Sequence, residues 1–150
     1  MAAKVGVISD THGLLRPQVL EILRTCDFIL HGGDIDKPEV WDVLRSIAPT
    51  YAVRGNNDKE WAAEIAHDLN FTIEGIRFFM VHDRRDAPKD LDGIDVVVYG
   101  HSHQYTQQSQ GGQLWLNPGS CGRRRFKADM TLAVLRIDKR RYTIEKIVLP

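Results

Sequence analysis

The chain has 150 residues, 43% of them hydrophobic, and its 20 basic side chains balance 20 acidic ones. That length buries one core and is short for two, so a single domain over residues 1–150 is expected, and the balanced charge argues against a general field drawing it to nucleic acid or an anionic membrane. The two cysteines, Cys26 and Cys121, lack CxxC or zinc-finger spacing, and no apolar stretch approaches the roughly 20 residues of a membrane span, so a disulfide framework, a thiolate zinc site and a membrane helix are not expected and a cytoplasmic protein is.

In chain order, Val5-Gly6-Val7-Ile8 predicts a strand that ends in Ser9-Asp10-Thr11-His12. Residues 17–24 open on a proline suited to a first helical turn and carry Val19, Leu20, Ile22 and Leu23 as an apolar set. Phe28-Ile29-Leu30 is a second strand, ending in His31-Gly32-Gly33-Asp34, and residues 38–47 repeat the proline-led helix. Tyr51-Ala52-Val53 leads into Arg54-Gly55-Asn56-Asn57-Asp58, and residues 61–66 suggest a third, shorter helix. Then Glu74-Gly75 sits between two apolar runs in the manner of a two-residue hairpin turn. Phe78-Phe79-Met80-Val81 ends in His82-Asp83, and Val96-Val97-Val98-Tyr99 in Gly100-His101-Ser102-His103. From Tyr105 onward, strand and turn signals predict a mainly antiparallel second half, with Trp115 buried in a strand. Two sheets packed face to face, with helices outside one of them, accommodate all of these elements.

Taken singly, each polar cluster has an ordinary explanation: a strand-end aspartate caps a turn, Asn-Asn-Asp makes one, and an isolated histidine packs in a core. Their common placement is what carries information. In an open α/β sheet the carboxyl ends of the strands line the ligand crevice, so five clusters of Asp, Asn and His are expected to meet at one edge of one sheet. Asp10 and His12, like His101 and His103, are two residues apart and would share a side of an extended backbone, each pair gripping one centre. Gly33 and Gly55 precede Asp34 and Asn56, where a missing Cβ lets the backbone turn and approach a bound group. Asp, Asn and His without cysteine suit Mn, Fe, Ni or Zn, and imidazoles disfavour a magnesium-only site.

These residues resemble the calcineurin-like metallophosphoesterases, and within them the small single-domain branch of YfcE-like phosphodiesterases. The pattern Asp-x-His, Gly-Asp, Gly-Asn-x-Asp, a single His and Gly-His-x-His stands here in order as Asp10/His12, Gly33/Asp34, Gly55/Asn56/Asp58, His82 and Gly100/His101/His103, trailed by Asn117-Pro118-Gly119-Ser120. The resemblance implies a four-layer α/β/β/α sandwich of two mixed sheets with two divalent ions at one edge, manganese first and nickel, iron or zinc next. Asp10, His12, Asp34 and His103 would hold the first ion, and Asp34, Asn56, His82 and His101 the second, with Asp34 bridging. It further implies in-line attack of a metal-bridging hydroxide on a small phosphodiester, with Asp34, Asn56, Asp58 and His82 as the catalytic set and Asp58 orienting Asn56 or a ligand histidine.

Two positions depart from the wider pattern. Where many relatives carry His after Gly-Asn, this chain has Asn57, so esters with good leaving groups are expected as substrates unless a metal-bound water or His31 supplies the proton. Asp83 replaces a common Gly and would either orient His82 or repel an anionic substrate. Asn57, Arg123 and Arg124 are candidates to contact substrate, and Arg84-Arg85, Arg125 and Lys127 form basic runs that could reach a phosphate or simply be solvated. The alternatives are a phosphomonoesterase, or a weakly catalytic scaffold like the retromer subunit of this fold, against which the intact ligand set argues. Balanced charge and the lack of an added capping domain disfavour nucleic-acid processing. A homo-oligomer is expected.

Overall fold

In the computed structural model, which describes residues 2–123 and 129–150, strand β1 (Ala3–Ile8) is followed by α1 (Pro17–Leu23), β2 (Phe28–His31), α2 (Pro38–Ile47) and β3 (Thr50–Ala52). The chain then forms β4 (Asp68–Ile73), β5 (Ile76–Val81), β6 (Val96–Val98), β7 (Tyr105–Gln110), β8 (Gln113–Pro118), β9 (Met130–Asp138) and β10 (Arg141–Leu149). Both helices begin on the proline of their predicted segment, which lacks the N–H that a first turn leaves unpaired. The expected third helix is only a 3-10 turn at Glu60–Ala62. So short a segment makes too few hydrogen bonds to offset helix nucleation.

The strands form two five-stranded mixed sheets, ordered β10-β9-β1-β2-β3 and β4-β5-β6-β8-β7. In the first sheet β1, β2 and β3 run parallel, and in the second β5, β6 and β8 do. The expectation of one sheet edge is therefore corrected: the clusters after β1, β2 and β3 come from one sheet, and those after β5 and β6 from the other. The switch falls at the predicted hairpin, where Glu74 (φ 48°) and Gly75 (φ 83°) turn β4 back onto β5. Parallel, doubly buried strands read alike in any sheet, which is why their partition was not evident beforehand.

Alternation along each strand assigns the layers. Val5 and Val7 of β1, Phe78 and Met80 of β5, Val96 and Val98 of β6 and Leu135 and Ile137 of β9 fill the space between the sheets. Ile8, Ile29, Leu132 and Val134 face the other way and pack under Val19 and Leu23 of α1 and Val40 and Leu44 of α2. On the outer face of the second sheet, Phe79, Val81, Val97, Tyr99 and Trp115 are covered by Ala87, Leu91 and Ile94. That fourth layer is thin, a 3-10 turn at Arg84–Asp86 and the segment after it rather than an α-helix. Among the described residues, no helix is long and apolar enough to cross a membrane.

Candidate metal centre

Six of the nine non-glycine residues with left-handed backbone among those described are Asp10, His12, Asp34, Asp36, His101 and His103, all in the loops that follow β1, β2 and β6. Side chains other than glycine rarely adopt this conformation, and such strain gathers where function requires a particular direction. It also changes the reason why the i, i+2 pairs matter. Asp10 and His12 do converge, but through left-handed turns (φ 52° and 48°) and not through strand alternation. His101 and His103 diverge: the His103 ring stacks on His12 with centroids 5.0 Å apart, whereas His101 lies edge-on to His82 at 5.3 Å.

The loops are held by hydrogen bonds that are local in space and distant in sequence. Asp58 accepts from the backbone N–H of Asp34 (3.0 Å), Ile35 (3.2 Å), Asp36 (2.8 Å) and Gly55 (3.0 Å), tying the loop after β2 to the loop after β3. It therefore acts on backbone, not on Asn56 or a histidine ring as expected. Gly55 leaves room for this: a Cβ there would collide with the Asp34 carboxylate, and one on Gly33 would lie 2.6 Å from His82 Nδ1. Asp10 Oδ2 accepts from Ser9 Oγ at 2.7 Å and from the backbone N–H of His101 at 3.0 Å. Ser120 Oγ donates to the Asp10 carbonyl at 2.8 Å, and Asn117 Nδ2 to the Gly100 carbonyl at 3.1 Å, so the Asn-Pro-Gly-Ser turn braces two of the clusters.

Within this frame Asp10, His12, Asp34, His82 and His103 point at one another. Asp10 Oδ1 is 3.9 Å from His12 Nε2, 3.4 Å from His103 Nε2 and 3.9 Å from His82 Nε2. Asp34 Oδ2 is 3.2 Å from His82 Nε2 and 3.8 Å from His12 Nε2. Their donor atoms fall into two overlapping groups, Asp10 with His12 and His103, and Asp10 with Asp34 and His82. Asn56 and His101 are exposed and stand at the open rim.

This arrangement fits divalent cations on physical grounds. Asp10 Oδ1, His82 Nε2 and His103 Nδ1 are buried without a hydrogen-bond partner among the described residues, a costly condition that a cation bound to the first two would relieve. His82 donates through Nδ1 to the Gly32 carbonyl at 2.7 Å, and His12 Nδ1 lies 2.9 Å from Asp36 Oδ2. In each ring the engaged Nδ1–H leaves Nε2 as the donor atom toward the cluster. His12 Nε2 and His103 Nε2 are 3.2 Å apart, within hydrogen-bond reach of one another in the metal-free protein, so both nitrogens face the same point.

The charges respond to the crowding. Burial alone would raise Asp34, but His82, the Asn57 backbone N–H and His12 outweigh it and hold the carboxyl at about 2. Burial likewise would lower His82, yet Asp34, Asp10 and the Gly32 carbonyl push it up to about 9. His31 behaves oppositely: burial takes it down to about 4. Its Nδ1 accepts from Gly33 N–H at 3.0 Å and its Nε2 donates to Thr11 Oγ1 at 2.9 Å. Fully buried with both nitrogens engaged, His31 is a structural link and not the proton donor considered from the sequence.

Of the remaining candidates, Asn57 donates its backbone N–H to Asp34 Oδ1 at 2.9 Å, and its side-chain amide lies 3.4 Å from His12 Nδ1. Arg123 donates through Nε to the His12 carbonyl at 3.2 Å. Arg124, Arg125 and Lys127 lie outside the described residues. Asp83 neither orients His82 nor stands as a free repelling charge. Its carboxylate takes three hydrogen bonds from the Arg85 side chain at 2.6–3.1 Å, and Arg85 together with its backbone N–H outweighs burial to hold Asp83 at about 2. Asp36 was missed, although Asp34-Ile35-Asp36 repeats the spacing that singled out Asp10 and His12. Beside the cluster lies a cleft of about 320 Å³ lined by Arg54, Asn56, His67, His82, Asp83 and Asp86, among others.

Buried carboxylates and imidazoles converging at the strand ends of a two-sheet α/β sandwich define a metal-binding hydrolase site. The family model for the calcineurin-like phosphoesterase superfamily domain matches residues 3–140, and the chain belongs to this family. It is 32% identical to a probable metallophosphoesterase of Methanothermobacter thermautotrophicus, over 95% of this chain and 91% of that protein. Identity to the phosphodiesterase YfcE of Escherichia coli is 30%, covering 78% of each. The solved structure of an archaeal phosphodiesterase superposes with a TM-score of 0.79 at 26% identity, covering 97% of this chain and 99% of that one. The chain is thus a metal-dependent phosphoester hydrolase.

Proposed function

We propose that the protein hydrolyses small phosphodiesters with two divalent ions, the first held by Asp10, His12, Asp34 and His103 and the second by Asp34, Asn56, His82 and His101. The observation that carries this reading is the pair of buried, unpartnered atoms Asp10 Oδ1 and His82 Nε2, 3.9 Å apart with Asp34 Oδ2 beside them. Manganese is the first candidate, and nickel, iron and zinc share its preference for mixed carboxylate and imidazole donors. Two such ions, when bound, supply Lewis acidity toward phosphoryl oxygens and lower the pKa of water.

The chain's own contribution is orientation. Asp36 and the Gly32 carbonyl hold the rings of His12 and His82, Asp58 holds the loops that carry Asp34 and Asn56, and the cleft beside Asn56 takes one ester arm. Its modest volume and open rim suit a small molecule better than a nucleic-acid strand. Asn57 brings amide donors to the rim but no proton that it can transfer, and His31 is sealed away. The leaving oxygen therefore departs without a general acid from these side chains, and rate is expected to fall steeply as leaving-group pKa rises, where a flat dependence would contradict this.

The test is hydrolysis of bis(p-nitrophenyl) phosphate by chelator-stripped protein reloaded with manganese, nickel, zinc or magnesium, beside Asp34→Asn. Activity restored by metal and lost in Asp34→Asn is the expected result. Two bound ions without turnover of any diester would redirect the reading to monoesters or to a scaffold.

A further inference from the structure

A second cleft, of about 360 Å³, shares Asp83 with the first and is lined by Arg84, Tyr99, His101, Ser102, Thr106 and Gln108, together with Arg85. It reaches His101, on the rim of the metal centre, and its far wall is the polar face of β7.

Arg84 is the unusual member. Its guanidinium carbon lies 5.3 Å from the Tyr99 ring centre and 5.0 Å from that of Trp115, so the group sits over two buried aromatic rings. Cation–π contact holds the group in place and uses none of its hydrogen-bonding capacity. Among the described residues, no carboxylate pairs with Arg84 and no hydrogen bond of its side chain is formed. Its neighbour is built differently, because Arg85 is fully engaged with Asp83. The Asp83–Arg85 pair adds no net charge to the cleft, and Arg84 remains as its one unbalanced cation among the described residues. A guanidinium held in place, charged and without a carboxylate partner among the described residues can offer two parallel hydrogen bonds to an oxyanion.

We propose that this cleft is a subsite for a second oxyanion, a carboxylate or a phosphate carried on one ester arm of the substrate, and that Arg84 recognises it. The proposal rests on the phosphodiesterase reading for the reacting group beside His101, and extends it from any small diester to an anionic one. The bland role of Arg84, covering the rings of the outer layer, requires neither an open cleft at the metal centre nor free donors on the guanidinium edge.

The test uses matched p-nitrophenyl diesters whose second arm is ethyl, 2-carboxyethyl or 2-phosphonoethyl, with manganese-loaded wild type, Arg84→Met and Arg84→Lys. Calorimetry with the product monoesters, ethyl phosphate and its carboxyethyl and phosphonoethyl counterparts, runs alongside. Wild type is expected to favour the anionic arms over ethyl by about tenfold, chiefly in KM, as a charge-assisted bidentate contact would give. In Arg84→Met, which keeps an apolar stem over the rings, the ratio should collapse to about one, and Arg84→Lys should keep part of it. A larger preference for one anionic arm identifies whether the oxyanion is carboxylate or phosphate. Equal handling of ethyl and anionic arms by wild type, or a preference that survives in Arg84→Met, would overturn the proposal. If no diester is turned over, the phosphodiesterase reading fails, and the monoester affinities still decide the subsite.

Discussion

The two overlapping donor groups of the metal centre are built to different standards. Asp10, His12 and His103 are enclosed: the Asp10 side chain is fully buried, His12 is 7% and His103 11% exposed, and Asp36, Ser9, Ser120 and the His101 backbone hold them from behind. The group around Asp34 and His82 has a buried inner half, but its further proposed ligands, Asn56 and His101, are exposed and border the two clefts. Under the two-ion reading, a closed side and an open side divide the labour, with one ion retained tightly and the other exchanging and facing substrate. The two donor groups share Asp10, and under the two-ion reading both ions also depend on Asp34.

The largest disruption is expected from Asp34→Asn, which removes the charge that both ions share under the two-ion reading. Under the two-ion reading, manganese binding at both positions and turnover should fall together, by about 10³-fold or more in rate. Loss of only one ion, measured by metal analysis, would contradict its bridging position. Next comes Asp58→Ala, which strands four backbone N–H groups. A cost of about 2–4 kcal/mol, or a fall in Tm of roughly 5–15 °C, is expected in a thermal melt of the metal-free protein. A change below 1 °C would mean that the two loops are held by other means.

Asp36→Asn sharpens the comparison, because it touches only the enclosed group. Loss of the carboxylate behind His12 should weaken the tighter manganese step by about 10- to 100-fold and leave the weaker step nearly unchanged, as read by calorimetry. An effect confined to the weaker step would reverse the assignment.

The smallest effect is a pH signature of the open side. With burial outweighed by Asp34 and Asp10, His82 sits at about 9, above its ordinary 6.5. The stability it lends the metal-free protein is complete below 6.5 and is lost as pH rises through about 9. Asp34, held near 2 against an ordinary 3.8, acts at the other end, stabilising above 3.8 and losing that contribution as pH falls through about 2. Melts of chelated protein between pH 6 and 10 should show the alkaline decline, and His82→Asn should flatten it. An unchanged decline in that variant would assign it elsewhere.

How much of this could be read beforehand depended on whether a role leaves a trace in residue type and spacing. Asp10, His12, Asp34, His82 and His103 were legible because each polar doublet or single histidine ends an apolar run. Their convergence was legible as a place, but not as two sheets, since β2 and β6 are both short, mostly buried apolar runs. Asp58 was noticed for the wrong partners, because its partners are backbone amides that every residue carries. His31 has the composition of a site residue, and only its burial shows that both ring nitrogens are structural. Asp36 had a usable signal in its spacing from Asp34. Arg84 was legible only as half of an Arg-Arg pair that could reach a phosphate or be solvated, and the fold separates the two by laying Arg84 over Tyr99 and Trp115 while Arg85 turns to Asp83.

The central claim is two ions sharing Asp34. Metal analysis of the manganese-loaded wild-type protein, read together with its low-temperature electron paramagnetic resonance spectrum, tests it most directly. The account predicts two manganese ions per chain and an exchange-coupled spectrum that gives way to an uncoupled signal, or none, in Asp34→Asn. A wild-type protein that saturates at one uncoupled ion, or that binds none, would contradict it.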